Sequence, residues 1–176
     1  WKVDIEDVEF NVQTIVDSVV DLLARTAEAK GLELVASLDG SVPANVTGDP
    51  ARVRQVLINL VGNAIKFTQA GHIAVSATKT ETVGPDSVLR FEVSDTGEGI
   101  PPDKLDLIFH PFVHADMSTS RKFGGTGLGL SISGQLIGLM GGGCGVSSEI
   151  GVGSTFWFTI KVGTDPETPP YTMRDP

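Results

Sequence analysis

One cysteine, Cys144, stands in the whole chain of 176 residues, so no internal disulfide can form and no cysteine-based zinc cluster exists. Its expected place is a small buried apolar position rather than a redox site. Basic residues are scarce too. Thirteen Lys and Arg face 22 Asp and Glu, a net charge of −9. That argues against broad binding of nucleic acid or of an anionic membrane surface, while leaving room for one local basic pocket. No apolar run reaches the roughly 20 residues of a membrane helix, and no leader pattern precedes the first periodic segment. An initiating methionine is missing as well: Trp1 leads, and a cytosolic piece of a longer protein is expected. What remains is an ordinary soluble composition, 40% hydrophobic and 20% charged, at the length of one domain with a proper core.

Glycine, by contrast, is abundant and clustered. Gly124, Gly125, Gly127 and Gly129 precede an apolar run of helical length. A glycine loop entering a helix presents free N–H groups and a positive dipole end, which suits a phosphate. Glycine loops also make plain turns. The spacing fails both common templates: Leu130 stands where a dinucleotide fingerprint needs its third glycine, and no P-loop lysine follows. A nucleotide held here belongs to another fold.

Along the chain, alternation predicts strands over 6–12, 32–38, 72–81, 87–94, 144–148 and 154–162. Helical spacing predicts helices over 12–30, 50–68 and 126–140, with a short one over 102–109. Asn11 and Asp49 are expected caps, and Pro50 takes the first helical position, where its missing N–H costs nothing. Residues 39–48 are expected to be a loop, and 163–176, with four prolines, a linker or disordered tail.

Within the second helix Asn59 and Asn63 are four apart and share a face. They are either solvated or interhelical asparagines, or a polar stripe facing a ligand or metal. Lys66, on nearly the same face, serves either the helix dipole or a phosphate. Asp95 ends a strand and is followed by Gly97 and Gly99, which leaves room for a flat ligand beside a carboxylate. A calcium loop is the rival, but its twelve-residue pattern is absent. Residues 110–123 have poor periodicity and read as a lid ending in Arg121 and Lys122.

This order of asparagine helix, Asp-x-Gly-x-Gly, lid, glycine loop and helix resembles the catalytic ATP-binding domain of sensor histidine kinases, especially the hybrid type. That domain belongs to a superfamily shared with gyrase, large heat-shock chaperones and mismatch-repair ATPases. Residues 49–68 resemble its asparagine box, 95–100 its first glycine box, 108–112 its phenylalanine box and 125–130 its second glycine box. The motif 151–156 resembles its final hairpin.

The resemblance implies an α/β (α+β) two-layer sandwich of the Bergerat type, a mixed sheet with helices on one face. Residues 10–162 would form the ATP-binding catalytic domain, and 1–9 the end of a linker from a missing dimerisation domain. It implies ATP and magnesium (Mg2+) as ligands. Asn63 would hold the metal, Asn59 would support that face, and Lys66 would meet the phosphates. Phe67, Ile100 and Phe112 would line the nucleotide, Asp95 would accept the adenine amino hydrogen, and Gly97 and Gly99 would let the base approach. Arg121, Lys122, Gly125, Thr126, Gly127, Leu128 and Gly129 would surround the phosphates, and Thr155 would complete the site from the last hairpin.

In the hydrolytic relatives a glutamate stands four residues before the metal-binding asparagine. Here that residue is Asn59, and an amide is no general base at neutral pH. Transfer to a histidine is therefore expected. His72, His110 and His114 do not fit the acceptor pattern, so the acceptor would lie on a separate helical dimerisation domain of the same protein. A response-regulator receiver domain would be the next partner, with the full-length protein homodimeric and this chain alone monomeric. A freestanding ATPase and a nucleotide-sensing module without transfer are the alternatives.

Overall fold

The computed structural model describes residues 4–105 and 128–164. Strand β1 (Val8–Asn11) runs into helix α1 (Val12–Ala29), whose cap is Asn11: its side-chain oxygen accepts from Thr14 N at 2.9 Å. Strands β2 (Glu33–Leu38) and β3 (Asn45–Gly48) precede helix α2 (Pro50–Phe67). The hairpin of β4 (His72–Val83) and β5 (Asp86–Asp95) follows, then the single-turn helix α3 (Pro102–Leu105). Helix α4 (Leu128–Leu139) leads to the closing hairpin of β6 (Cys144–Glu149) and β7 (Gly153–Gly163).

The strands form one open mixed sheet in the order β1-β3-β7-β5-β4-β2, with β6 also paired to β7. Among the described residues, β2 and β4 are the one parallel pair. The register lines up one face row by row. Ala77, Phe91, Phe158 and Cys144 make one row, and Val75, Val93, Phe156 and Val146 the next. Phe91 and Phe158 stack with ring centroids 4.9 Å apart, and neither is exposed. Helices α1, α2 and α4 cover this face, giving the two-layer sandwich that was expected.

Helix α2 is the middle of the helical layer. Val53, Val56, Leu57, Leu60, Val61, Ala64 and Ile65 are its buried residues, the stripe that the helical period marks out. Its end is capped from α1: Lys30 Nζ donates to the carbonyls of Ile65 at 2.6 Å and Lys66 at 3.2 Å. A cation on the last carbonyls complements the helix dipole. The loop expected over 39–48 is corrected: residues 45–48 form β3. Gly, Pro and Asn hid a strand that exists through pairing with β1. Strand β7 also runs on to Gly163, past the expected boundary. Cys144 is only half-buried, at the edge of the core.

Asp49 joins the layers at the start of α2. It is 3% exposed; Oδ1 accepts from Arg52 N at 3.1 Å and Oδ2 from Glu6 N at 3.0 Å. Replacing it strips a cap and leaves two donors unpaired. Asp49→Ala is expected to lower unfolding stability by about 1–2 kcal/mol in urea titrations, and Asp49→Asn, which still caps, by less.

Candidate functional site

Asp95 is the last residue of β5, on the helix-covered face, in a row with Ile73, Ser154 and Ser148. The apolar rows of the sheet thus end in a polar one. Asp95 Oδ1 accepts from Gly97 N at 2.9 Å and from Ser154 N at 3.3 Å. No described group donates to Oδ2. Burial pushes the carboxyl above its ordinary value, and the two backbone N–H donors pull the other way.

The loop after Asp95 is fastened to the last hairpin. Ile100 N donates to Ser148 Oγ at 2.7 Å, and Gly151 N donates to Glu98 O at 2.9 Å. Ser148 Oγ lies 2.9 Å from Ser154 Oγ. Gly99 has φ +79°, and a Cβ there would collide with the carbonyl of Glu149. Gly97 lies against the end of α2. A Cβ on it would stand 2.7 Å from Phe67 O, 3.0 Å from Asp95 Oδ1 and 3.1 Å from Thr68 Oγ1. Both glycines are therefore required by close approach of neighbouring backbone.

From α2, Asn59, Asn63, Lys66 and Phe67 are all half-buried. Asn59 Nδ2 donates to Ser133 Oγ of α4 at 2.9 Å, and Ser133 is 2% exposed. Asn59 is thus an interhelical asparagine. Asn63, one turn on, makes no hydrogen bond with a described residue, so its amide oxygen is available. That oxygen is a hard donor suited to magnesium. Among the described residues no three His, Cys, Asp or Glu side chains cluster as a metal cage. An ion here would depend on ligands from phosphate and water, as magnesium usually does.

The structure brings Asp95, Gly97, Gly99, Ile100 and Phe67 together at one end of the sheet, beside the end of α2. Thr155 is not among them. Strand alternation turns its side chain to the opposite face, where its hydroxyl lies 2.9 Å from Ser94 Oγ. Ser154 takes the place expected of it. Phe112, Arg121, Lys122, Gly125, Thr126 and Gly127 lie outside the described residues, as does the expected lid. Leu128 and Gly129 open α4. Ser148, Ser154 and Thr68 were not singled out from the sequence; the two serines flank glycines in a hairpin, and only the register shows that they face Asp95.

A cleft of about 720 Å³ lies at the other end of β5, lined by Glu6, Asp49, Asp86, Met140 and Lys161 among others. It shares no residue with the Asp95 site.

The profile of the family described as histidine kinase-, DNA gyrase B-, and HSP90-like ATPase matches residues 48–164. The signal transduction histidine-protein kinase BarA of Escherichia coli (strain K12) is 42% identical over 165 residues, which is 94% of this chain and 18% of BarA. Full-length ShkA, solved in complex with AMPPNP, superposes with a TM-score of 0.80 at 34% identity, covering 93% of this chain and 32% of that one. The nucleotide-free catalytic domain of histidine kinase ThkA gives 0.72 at 30% identity, covering 88% and 95%. ThkA in complex with response regulator protein TrrA gives 0.69 at 28%, covering 89% and 42%. The chain therefore spans about a fifth of the length of the curated relative, and nearly all of an isolated catalytic domain.

The raised carboxyl of Asp95 carries a stability signature. The fold favours its protonated form, so its contribution is fully present below the unfolded value of about 4 and is lost as pH rises through the higher folded value. Asp95→Asn, neutral at every pH, is expected to unfold at a higher urea concentration than wild type at pH 8 without ligand. The difference should shrink as pH falls towards about 4. A variant less stable than wild type at pH 8 would contradict this electrostatic account.

Proposed function

The chain belongs to the family of histidine kinase-, DNA gyrase B- and HSP90-like ATPases, and from that membership we propose that it binds Mg-ATP and passes the γ-phosphoryl group to a histidine on a separate helical dimerisation domain of the same protein. The observation that carries this reading is the Asp95 carboxylate. One oxygen is anchored by backbone N–H groups, and the other accepts from no described group. An ionised carboxylate accepts only, so it selects a ring edge bearing an amino group, as adenine does. Phe67 would line the base, Lys66 would meet the phosphates, and Asn63 would offer its amide oxygen to magnesium. Bound magnesium would neutralise charge on the phosphates during transfer. Arg121, Lys122 and the glycines from Gly125 to Gly129 would enclose the phosphate tail.

Asn59 supports transfer over hydrolysis. Its amide holds Ser133 and has no basic lone pair with which to activate water. The attacking atom would be an imidazole nitrogen of the acceptor histidine. It displaces the β-phosphate oxygen, and the chain's own residues hold the nucleotide in line.

The kinase names of the relatives and the ThkA–TrrA complex support a response-regulator receiver domain as the downstream partner. The whole protein would be a homodimer acting in the cytoplasm, with the fold from β1 to β7, residues 8–163, as its catalytic domain. No helix among the described residues is long and apolar enough to cross a membrane.

Calorimetry with Mg-ADP tests the base contact. A hydrogen bond to a charged group is worth about 1.5–3 kcal/mol, so Asp95→Asn is expected to bind about ten- to a hundred-fold more weakly than wild type. Equal affinities would remove Asp95 from the site. Rapid phosphate release from ATP by the chain on its own would favour a freestanding ATPase instead.

A further inference from the structure

Thr68 follows the last residue of α2 and is fully buried. Its hydroxyl is the buried side-chain polar group left without a hydrogen-bond partner among the described residues. Native folds rarely leave such a group unpaired, and those that remain call for an explanation. The position supplies one. The space that a Cβ on Gly97 would fill is bordered by Thr68 Oγ1 on one side and Asp95 Oδ1 on another. A donor without an acceptor and the anchored oxygen of the carboxylate thus border the same position, 3.1 Å and 3.0 Å from it.

We propose that Thr68 is a positioning residue for the base contact: its hydroxyl donates to Asp95 Oδ1 when adenine occupies the site. The inference rests on the nucleotide reading given above. Without a ligand, water reaches the open side of the half-buried carboxylate and competes for it. A seated base excludes that water. In the drier site the carboxylate draws more strongly on the donors around it, and the Thr68 hydroxyl is the one not yet committed. Gly97 N and Ser154 N already hold Oδ1, so a third donor there fixes the plane of the carboxylate and aims Oδ2 at the amino group. Adding a side chain at Gly97 would separate the two groups, a second reason for glycine there.

The test compares wild type with Thr68→Val and Thr68→Ser, using ADP and purine riboside 5′-diphosphate, which lacks the amino group. Binding is read by calorimetry and ligand-free stability by urea unfolding. Thr68→Val is expected to bind ADP about three- to tenfold more weakly, the worth of one neutral hydrogen bond. It should bind the purine riboside diphosphate as wild type does. Thr68→Ser should restore ADP affinity to within about twofold. The ligand-free unfolding midpoint of Thr68→Val should equal or exceed that of wild type, because an unpaired hydroxyl gives way to a methyl group of the same shape. Should the valine variant fold poorly, Thr68→Ala is expected to show the same ligand pattern. Equal ADP affinities, or equal losses for both ligands, would overturn the inference while leaving ADP binding by wild type intact. A wild-type chain that binds no adenine nucleotide would overturn the nucleotide reading and this inference with it.

Discussion

A half-buried carboxylate at the end of a central strand needs donors, and at Asp95 the backbone supplies them to one oxygen only. Gly97 N and Ser154 N converge on Oδ1. For both to arrive, the loop after β5 must fold back, the β6–β7 hairpin must lie in register beside it, and Gly97 must come against the last carbonyl of α2. Each requirement leans on another part of the fold. Lys30 caps α2 at the carbonyls of Ile65 and Lys66, just before that one; Ser148 holds the loop through Ile100 N. The geometry of the site therefore follows from packing between the sheet and α2, with Oδ2 left open as the outcome.

The face of α2 next to its core stripe divides its labour. Asn59 is spent on Ser133 and fastens α4 to α2, just downstream of the glycine loop. Asn63, one turn further, keeps its amide uncommitted among the described residues. The same residue type at a helical spacing thus does two jobs, one architectural and one available for a ligand. A glutamate at position 59 could also have paired with a serine, but it would have added a base. The amide adds none, which is why position 59 bears on transfer against hydrolysis more than any glycine in the loop does.

Much of this was legible in the sequence because it is local. The buried stripe of α2, its Asp49-Pro50 start, the Asn11 cap and the placing of Asp95 at a strand end all follow from period and cap chemistry within a few residues. What escaped was set by distant partners. β3 exists because β1 pairs with it across 34 to 40 residues of chain, against a local composition of turn formers. Ser154, and not Thr155, lies on the face of Asp95 because a one-residue step in a strand reverses the face. Thr68 reads as an ordinary helix end until the burial of its hydroxyl is known.

In the proposed complex, Asp95 Oδ2 reads the amino edge of an adenine held over Gly97 and Gly99. A crystal structure of the chain with Mg-ADP tests it most directly. The adenine amino nitrogen is expected within about 2.7–3.2 Å of Asp95 Oδ2, with Oδ1 still taken by Gly97 N and Ser154 N. A nucleotide seated instead in the cleft between Asp49, Asp86 and Lys161 at the far end of β5, or a base turned away from Asp95, would contradict it.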